Sequence, residues 1–269
     1  MTVCIATIYG KDEGVIAIAD KMFTSAPGIV TVHEVNENNK ITKLSDTAIV
    51  MMAGNVINAS SIISELVGQV KKDELLASIA AKAAKIYEEH YRDAINTELS
   101  RWGMDLETFN SSQQSLDSDM VNRLNTLIGS SSLEVEMIIT GRDGNGPGLY
   151  VVTNPGVVNC FDSIGRAIIG SGTAHASLSV VDSECQKSDN YGRALYTTFK
   201  AKKRAEYDPN VGKYTSVCVV KDAVREFTDD EIISLNTHYT SAEADINDTI
   251  NNISKKVGEE LNGDTDTKK

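Results

Sequence analysis

The second residue is where chemistry can begin. Thr2 carries a hydroxyl nucleophile and, once Met1 is removed, as a small second residue permits, a free α-amine on the same residue. An α-amine has an ordinary pKa of about 7.7–8.0, so much of it is neutral near pH 7 and can accept the hydroxyl proton. Pairing Thr with its own terminal amine is a known way to activate a weak nucleophile. Other positions could complete such a site. Asp20 ends the run Val15-Ile16-Ala17-Ile18-Ala19-Asp20, where an acid is costly to bury without a cation. Lys40 precedes Gly54 by fourteen residues. Ser171 lies in Gly170-Ser171-Gly172-Thr173, and Asp208 opens Asp208-Pro209-Asn210-Val211-Gly212.

Each of these also has an ordinary reading. Asp20 can cap a strand end, and Lys40 can be a solvated loop lysine. Gly54 can be a strand-to-helix turn glycine. Ser171 fits an N-cap, and Asp208 fits an Asx-type turn. The four histidines (His33, His90, His175, His238) and four cysteines (Cys4, Cys160, Cys185, Cys218) are scattered without metal-ligand or CxxC spacing, which argues against a zinc site. No pattern calls for a cofactor.

The elements that must hold these residues follow from periodicity. Residues 1–9 and 15–20 are two short apolar runs around a Gly-bearing polar turn at 10–14, an opening hairpin. Residues 21–39 read as a loop with one short strand at 29–32. A second hairpin comprises 40–44 and 48–53. Ile57, Ile62, Ile63, Leu66, Val67 and Val70 form a helical stripe, and a second helix starts near Asp73 and reaches Ile95 or Leu99. Residues 110–132 read as an exposed polar insertion with a short helix at 120–127. Strands are expected at 135–140, 149–153, 157–161 and 167–169. Helical periodicity then resumes through Leu178 and Val181, and a further helix spans 189–204 with Ala194, Leu195 and Phe199 inward. Residues 215–220 form the last strongly apolar strand. Strands in blocks separated by helix pairs predict an α+β fold, an α-β-β-α sandwich of two packed, mainly antiparallel sheets. A doubly wound sheet would alternate single strands with single helices. The domain reading is 1–225 plus a C-terminal helical extension, 226–269, whose end from residue 262 is polar and expected to be disordered.

At 269 residues, 41% hydrophobic and 24% charged, the chain is long enough to bury a large core. A net charge of −12 argues against a nucleic-acid surface, which needs basic patches. No apolar run approaches a membrane span and no signal segment opens the chain. The expectation is therefore a cytoplasmic protein with reduced thiols.

Taken together, these phrases resemble the proteasome β-type subunits among the N-terminal-nucleophile hydrolases, over roughly residues 2–225. The resemblance is carried by Thr2 at the start of the first strand and by Val15-Ile16-Ala17-Ile18-Ala19-Asp20-Lys21. It extends to Lys40-Ile41-x-x-Leu44 with Ala53-Gly54, to Gly170-Ser171-Gly172-Thr173, and to Asp208 in a loop closed by Gly212. It implies Thr2 as nucleophile, Asp20 fixing the charge of Lys40, and Lys40 lowering the hydroxyl pKa. It also implies the Gly54 N–H in an oxyanion hole, with Ser171 and Asp208 positioning the amine and its water. The family often has Ser three residues after its acidic loop residue, where this chain has Val211; Pro209 and a longer 20–40 loop are further departures. The resemblance further implies a threonine-type peptidase acting on peptide or unfolded protein in a homo-oligomeric ring, and leaves an ATP-dependent unfoldase partner open; with the chain opening at Met1, no self-cleaved propeptide is expected. Two alternatives stand beside it: a non-catalytic assembly protein of the same fold, and a small-molecule amidase.

Overall fold

A computed structural model describes residues 2–25, 31–34 and 39–263. The chain opens with β1 (Cys4–Tyr9) and β2 (Gly14–Asp20), whose residues are all buried. Such continuous apolar runs suit strands covered on both faces, where alternation is not needed. The turn between them carries positive φ at Gly10, Lys11 and Asp12 (66°, 53° and 86°). Arg142 steadies it by donating to the carbonyls of Asp12 and Glu13 at 2.9 and 2.6 Å.

The remaining strands are β3 (Met22–Ser25), β4 (Thr31–Glu34), β5 (Ile41–Lys43), β6 (Ala48–Gly54), β7 (Val135–Asp143), β8 (Gly146–Thr153), β9 (Val157–Cys160), β10 (Arg166–Ile169), β11 (Thr215–Val220) and β12 (Val224–Glu226). They build two five-stranded antiparallel sheets, ordered β10-β1-β2-β11-β12 and β5-β6-β7-β8-β9, plus the β3–β4 hairpin. One apolar cluster draws from both sheets, with Cys4, Ala6, Ile8, Val15 and Ala17 meeting Ile49, Met51, Ile138 and Val151.

Two helix pairs of the first unit cover the two sheets on their other faces. The helices are α1 (Val56–Gln69), α2 (Leu76–Ser100), α3 (Leu106–Ser112), α4 (Ser118–Ser130), α5 (Thr173–Asp182), α6 (Tyr191–Ala205) and α7 (Asp229–Gly263). On α1 and α2, Ile62, Leu66, Ile79, Ala83 and Tyr87 pack against Val50, Met137, Ile139 and Val152 of the second sheet. Each large aliphatic buried this way contributes about 1.5–3 kcal/mol. Ala176 and Val180 of α5 and Ala201 and Ala205 of α6 pack against Val3 and Ile5 of the first sheet. Asn55 starts α1 by accepting from the Ile57 and Asn58 amides, so the strand-to-helix change falls at Gly54-Asn55.

Several expectations are corrected. Residues 22–25 and 31–34 pair as a hairpin rather than lying in a loop; residues 29 and 30 of the expected 29–32 strand lie outside the described residues. The helix expected from Asp73 begins after Leu75, because Asp73 has φ +62°. The 110–132 stretch holds the expected short helix, within α4, but is not wholly exposed: its Leu124 joins Phe109, just before the stretch, in a small core on Ile95 and Leu99 of α2. Its polar composition hid the buried anchor Leu124. The helix expected through Leu178 and Val181 is present as α5, with Ala176, Ser179 and Val180 facing inward. Leu195 is only half-buried, beside buried Ala194 and Phe199. β12 adds an edge strand that periodicity did not indicate, and the first compact unit runs to Phe227. The second unit, Thr228–Lys269, contains one long helix, α7, which includes residues 262 and 263; residues 264–269 lie outside the described residues. A reciprocal Thr228–Glu231 capping box begins α7. Among the described residues no helix is long and apolar enough to cross a membrane.

Candidate active site

Strand register brings Thr2 to Asp20. Cys4 opposes Ala19 across β1–β2, so the next step of the ladder sets Val3 beside Asp20, whose amide donates to the Val3 carbonyl at 3.2 Å. The Asp20 side chain turns back toward Thr2. Its Oδ1 accepts from the Thr2 hydroxyl, from the Val3 amide at 2.9 Å and from Lys40 Nζ at 2.8 Å. Its Oδ2 accepts from the amides of Met22 at 3.1 Å and Gly212 at 3.0 Å. Five donors therefore satisfy a carboxylate that has no solvent exposure, the condition under which a buried charge is tolerated.

Lys40 arrives from the other sheet. It stands just before β5, and the Met52 amide of β6 holds its carbonyl at 3.1 Å. From there Nζ donates to Thr2 Oγ1 as well as to Asp20. Thr2, Asp20 and Lys40 are only 1%, 0% and 2% exposed. One hydroxyl oxygen thus lies between a carboxylate and an ammonium in a site shielded from water, where electrostatic effects are strongest.

The loop after β10 closes the other side. Because Cys4 also opposes Ile169, the chain beyond β10 passes Thr2. The Gly172 amide donates to the Thr2 carbonyl at 3.2 Å. The Thr2 backbone nitrogen, which becomes the α-amine when Met1 is absent, donates to Ser171 Oγ at 3.2 Å. Gly170 must be glycine, since its φ is +95° and a Cβ there would strike the Thr2 carbonyl. Glu136 of β7 accepts the Gly170 amide at 2.9 Å and ties this loop to the second sheet.

Gly54 ends β6 with φ +95°, and a Cβ would collide with the Glu134 carbonyl oxygen. The Asn55 amide is already bound to that carbonyl at 2.7 Å. Gly54 itself is exposed at the end of β6, opposite Val135 of β7. Beneath the site, burial pushes the Cys4 thiol up to about 12, so it is no competing nucleophile.

Asp208 is not part of this constellation. Its Oδ1 accepts from the Asn210 amide at 2.9 Å and from Asn210 Nδ2 at 2.8 Å, and among the described residues no hydrogen bond joins it to Thr2 or Ser171. The ordinary Asx-turn reading holds. Val211 is buried against Val3 and Ala205, so the position where the family often has a hydroxyl is apolar packing here. Asp208 acts at a distance: its carbonyl accepts the Val211 amide at 2.9 Å and shapes the loop that presents Gly212 to Asp20. Glu136 and Lys202 went unremarked in the sequence, and Gly212 was noted only as closing the Asp208 loop, not as a donor to Asp20. Only Lys202 left a signal there, a charged residue on the buried stripe Ala194, Thr198, Ala201 and Ala205 of α6. Among the described residues no three His, Cys, Asp or Glu stand together as a metal site.

No model of a known protein family matches the chain, and no curated protein matches it either.

Proposed function

We propose that the chain is a threonine-type hydrolase of the N-terminal-nucleophile class, with the α-β-β-α architecture of a proteasome β-type subunit. The observation that carries this is the Thr2 hydroxyl held between the Asp20 carboxylate and the Lys40 ammonium. With Met1 removed, Thr2 Oγ1 attacks the carbonyl carbon of a peptide bond while its proton passes to the Thr2 amine. The Lys40 ammonium favours the developing alkoxide. Ser171 Oγ holds the nitrogen that serves as base. The tetrahedral oxyanion receives the Gly54 N–H, a kind of interaction worth about 3–4 kcal/mol to the transition state. Collapse breaks the C–N bond, and the Thr2 ammonium returns its proton to the departing amine. Water then attacks the resulting threonyl ester, giving a proton to the amine; collapse breaks the acyl C–Oγ1 bond, releases the carboxylic acid and returns that proton to Thr2 Oγ1.

Peptides and unfolded protein are the substrate class, acted on in a cytoplasmic homo-oligomeric ring that confines the site, with an ATP-dependent unfoldase as the partner to test for. Intact mass and turnover decide the reading. The purified protein is expected to lack Met1 and to cleave fluorogenic peptides, with Thr2→Ala at background. Retained Met1, or Thr2→Ala turnover equal to wild type, overturns it. Cleavage of simple amides but not peptides would redirect it to a small-molecule amidase.

A further inference from the structure

A second ammonium lies behind Asp20. Lys202 of α6 has no exposed side-chain surface. Its Nζ donates to Glu206 Oε1 at 2.6 Å and to the Lys213 carbonyl at 2.9 Å. One residue before that carbonyl, the Gly212 amide donates to Asp20 Oδ2 at 3.0 Å. The segment 212–213 is thus gripped at both ends: the Asp208–Val211 turn leads into it, and Lys202 holds its far carbonyl. Gly212 is the amide with which this segment meets the carboxylate whose other oxygen binds Thr2 and Lys40.

We propose that Lys202 is a positioning residue for the reaction, holding segment 212–213 so that the Gly212 N–H fixes Asp20 and, through it, the geometry of Lys40 and Thr2. It matters to turnover only if Thr2 is the nucleophile proposed above. An apolar side chain at 202 fills the same space but cannot hold a carbonyl. The charged groups facing Lys202 are Glu206 and Lys203 on α6 and Asp20 on β2; burial outweighs them and pulls the ammonium down to about 8. The grip of Lys202 on the Lys213 carbonyl therefore weakens as pH rises through mildly alkaline values.

The test uses the full chain with Met1 removed. Lys202→Met, confirmed folded by circular dichroism, is expected to lower kcat about 10- to 100-fold, as for loss of a hydrogen bond from a charged donor, with KM unchanged. Hydrogen exchange at the Gly212 amide, read by mass spectrometry on fragments around it, is expected to accelerate about tenfold. Turnover within about twofold of wild type, or an unchanged Gly212 amide, overturns the proposal. Should Lys202→Met not fold, Glu206→Gln answers instead. It keeps Lys202 but removes the carboxylate that favours its charge, so the alkaline limb of kcat should move to lower pH; an unmoved limb overturns the proposal. A wild-type protein without turnover defeats the reading of Thr2, and the Gly212 amide alone then decides whether Lys202 holds the segment.

Discussion

Two lysines are buried among the described residues, Lys40 and Lys202, and they relate to Asp20 differently. Lys40 touches Oδ1 itself and shares it with the Thr2 hydroxyl. Lys202 reaches Oδ2 only through segment 212–213, and its own counter-ion, Glu206, is 13% exposed. Among the described residues Lys40 alone bonds Asp20 directly with its ammonium, so removing it strands a carboxylate in the core. Removing Lys202 leaves a carboxylate that still has Lys203, at 2.8 Å, and water. A buried cation is thus essential to stability only where its partner cannot reach solvent.

The largest expected effect is that of Lys40→Met. Leaving Asp20 buried without a cation should lower unfolding free energy by about 3–5 kcal/mol in a denaturant titration and abolish turnover. Lys202→Met in the same titration should cost far less; equal losses would break the comparison.

A pH series sharpens it. Lys202 sits at about 8 when folded, below the roughly 10.4 of lysine in an unfolded chain. Between these values the unfolded chain binds more protons, so this group makes stability rise with pH across that window; below it, its burial is a constant cost. Tyr87, Cys4 and Cys218, each pushed by burial to about 12, hold protons longer when folded and act in the opposite direction. The difference between wild type and Lys202→Met isolates the lysine: wild type should gain on the variant as pH rises past 8, and a flat difference would count against the burial of its charge.

The smallest effect belongs to Asp208→Asn, which keeps the acceptor of the Asx turn. A change of less than about 1 kcal/mol, under roughly fivefold in rate, is expected in melts and peptide assays. A loss as large as that of Lys40→Met would return Asp208 to the catalytic group.

Much of the candidate site was legible because its parts lie at chain landmarks. Thr2 starts a strand, Asp20 ends one, Lys40 precedes one and Gly54 closes one, so hydrophobic runs alone marked their places. Ser171 was readable as a loop residue and meets the Thr2 nitrogen. Asp208 could not be settled from spacing, because an Asx turn and a catalytic acid look alike until the side chain is seen to bond Asn210. Lys202 was missed because helical periodicity assigns a face but not what a long polar side chain meets there. The same limit placed Leu195 inward, though it is only half-buried.

By itself the sequence determined the strands of the two sheets other than β12, the helix pairs and the chemistry available at their ends, since local periodicity and residue type are written along one dimension. Only the tertiary structure decided which ends meet. Antiparallel register sets Thr2 beside Asp20, packing of the second sheet delivers Lys40, and the β11 approach aims Gly212. Those contacts join residues up to 192 positions apart, and long-range pairing depends on how whole faces bury against each other, which no short window of sequence contains.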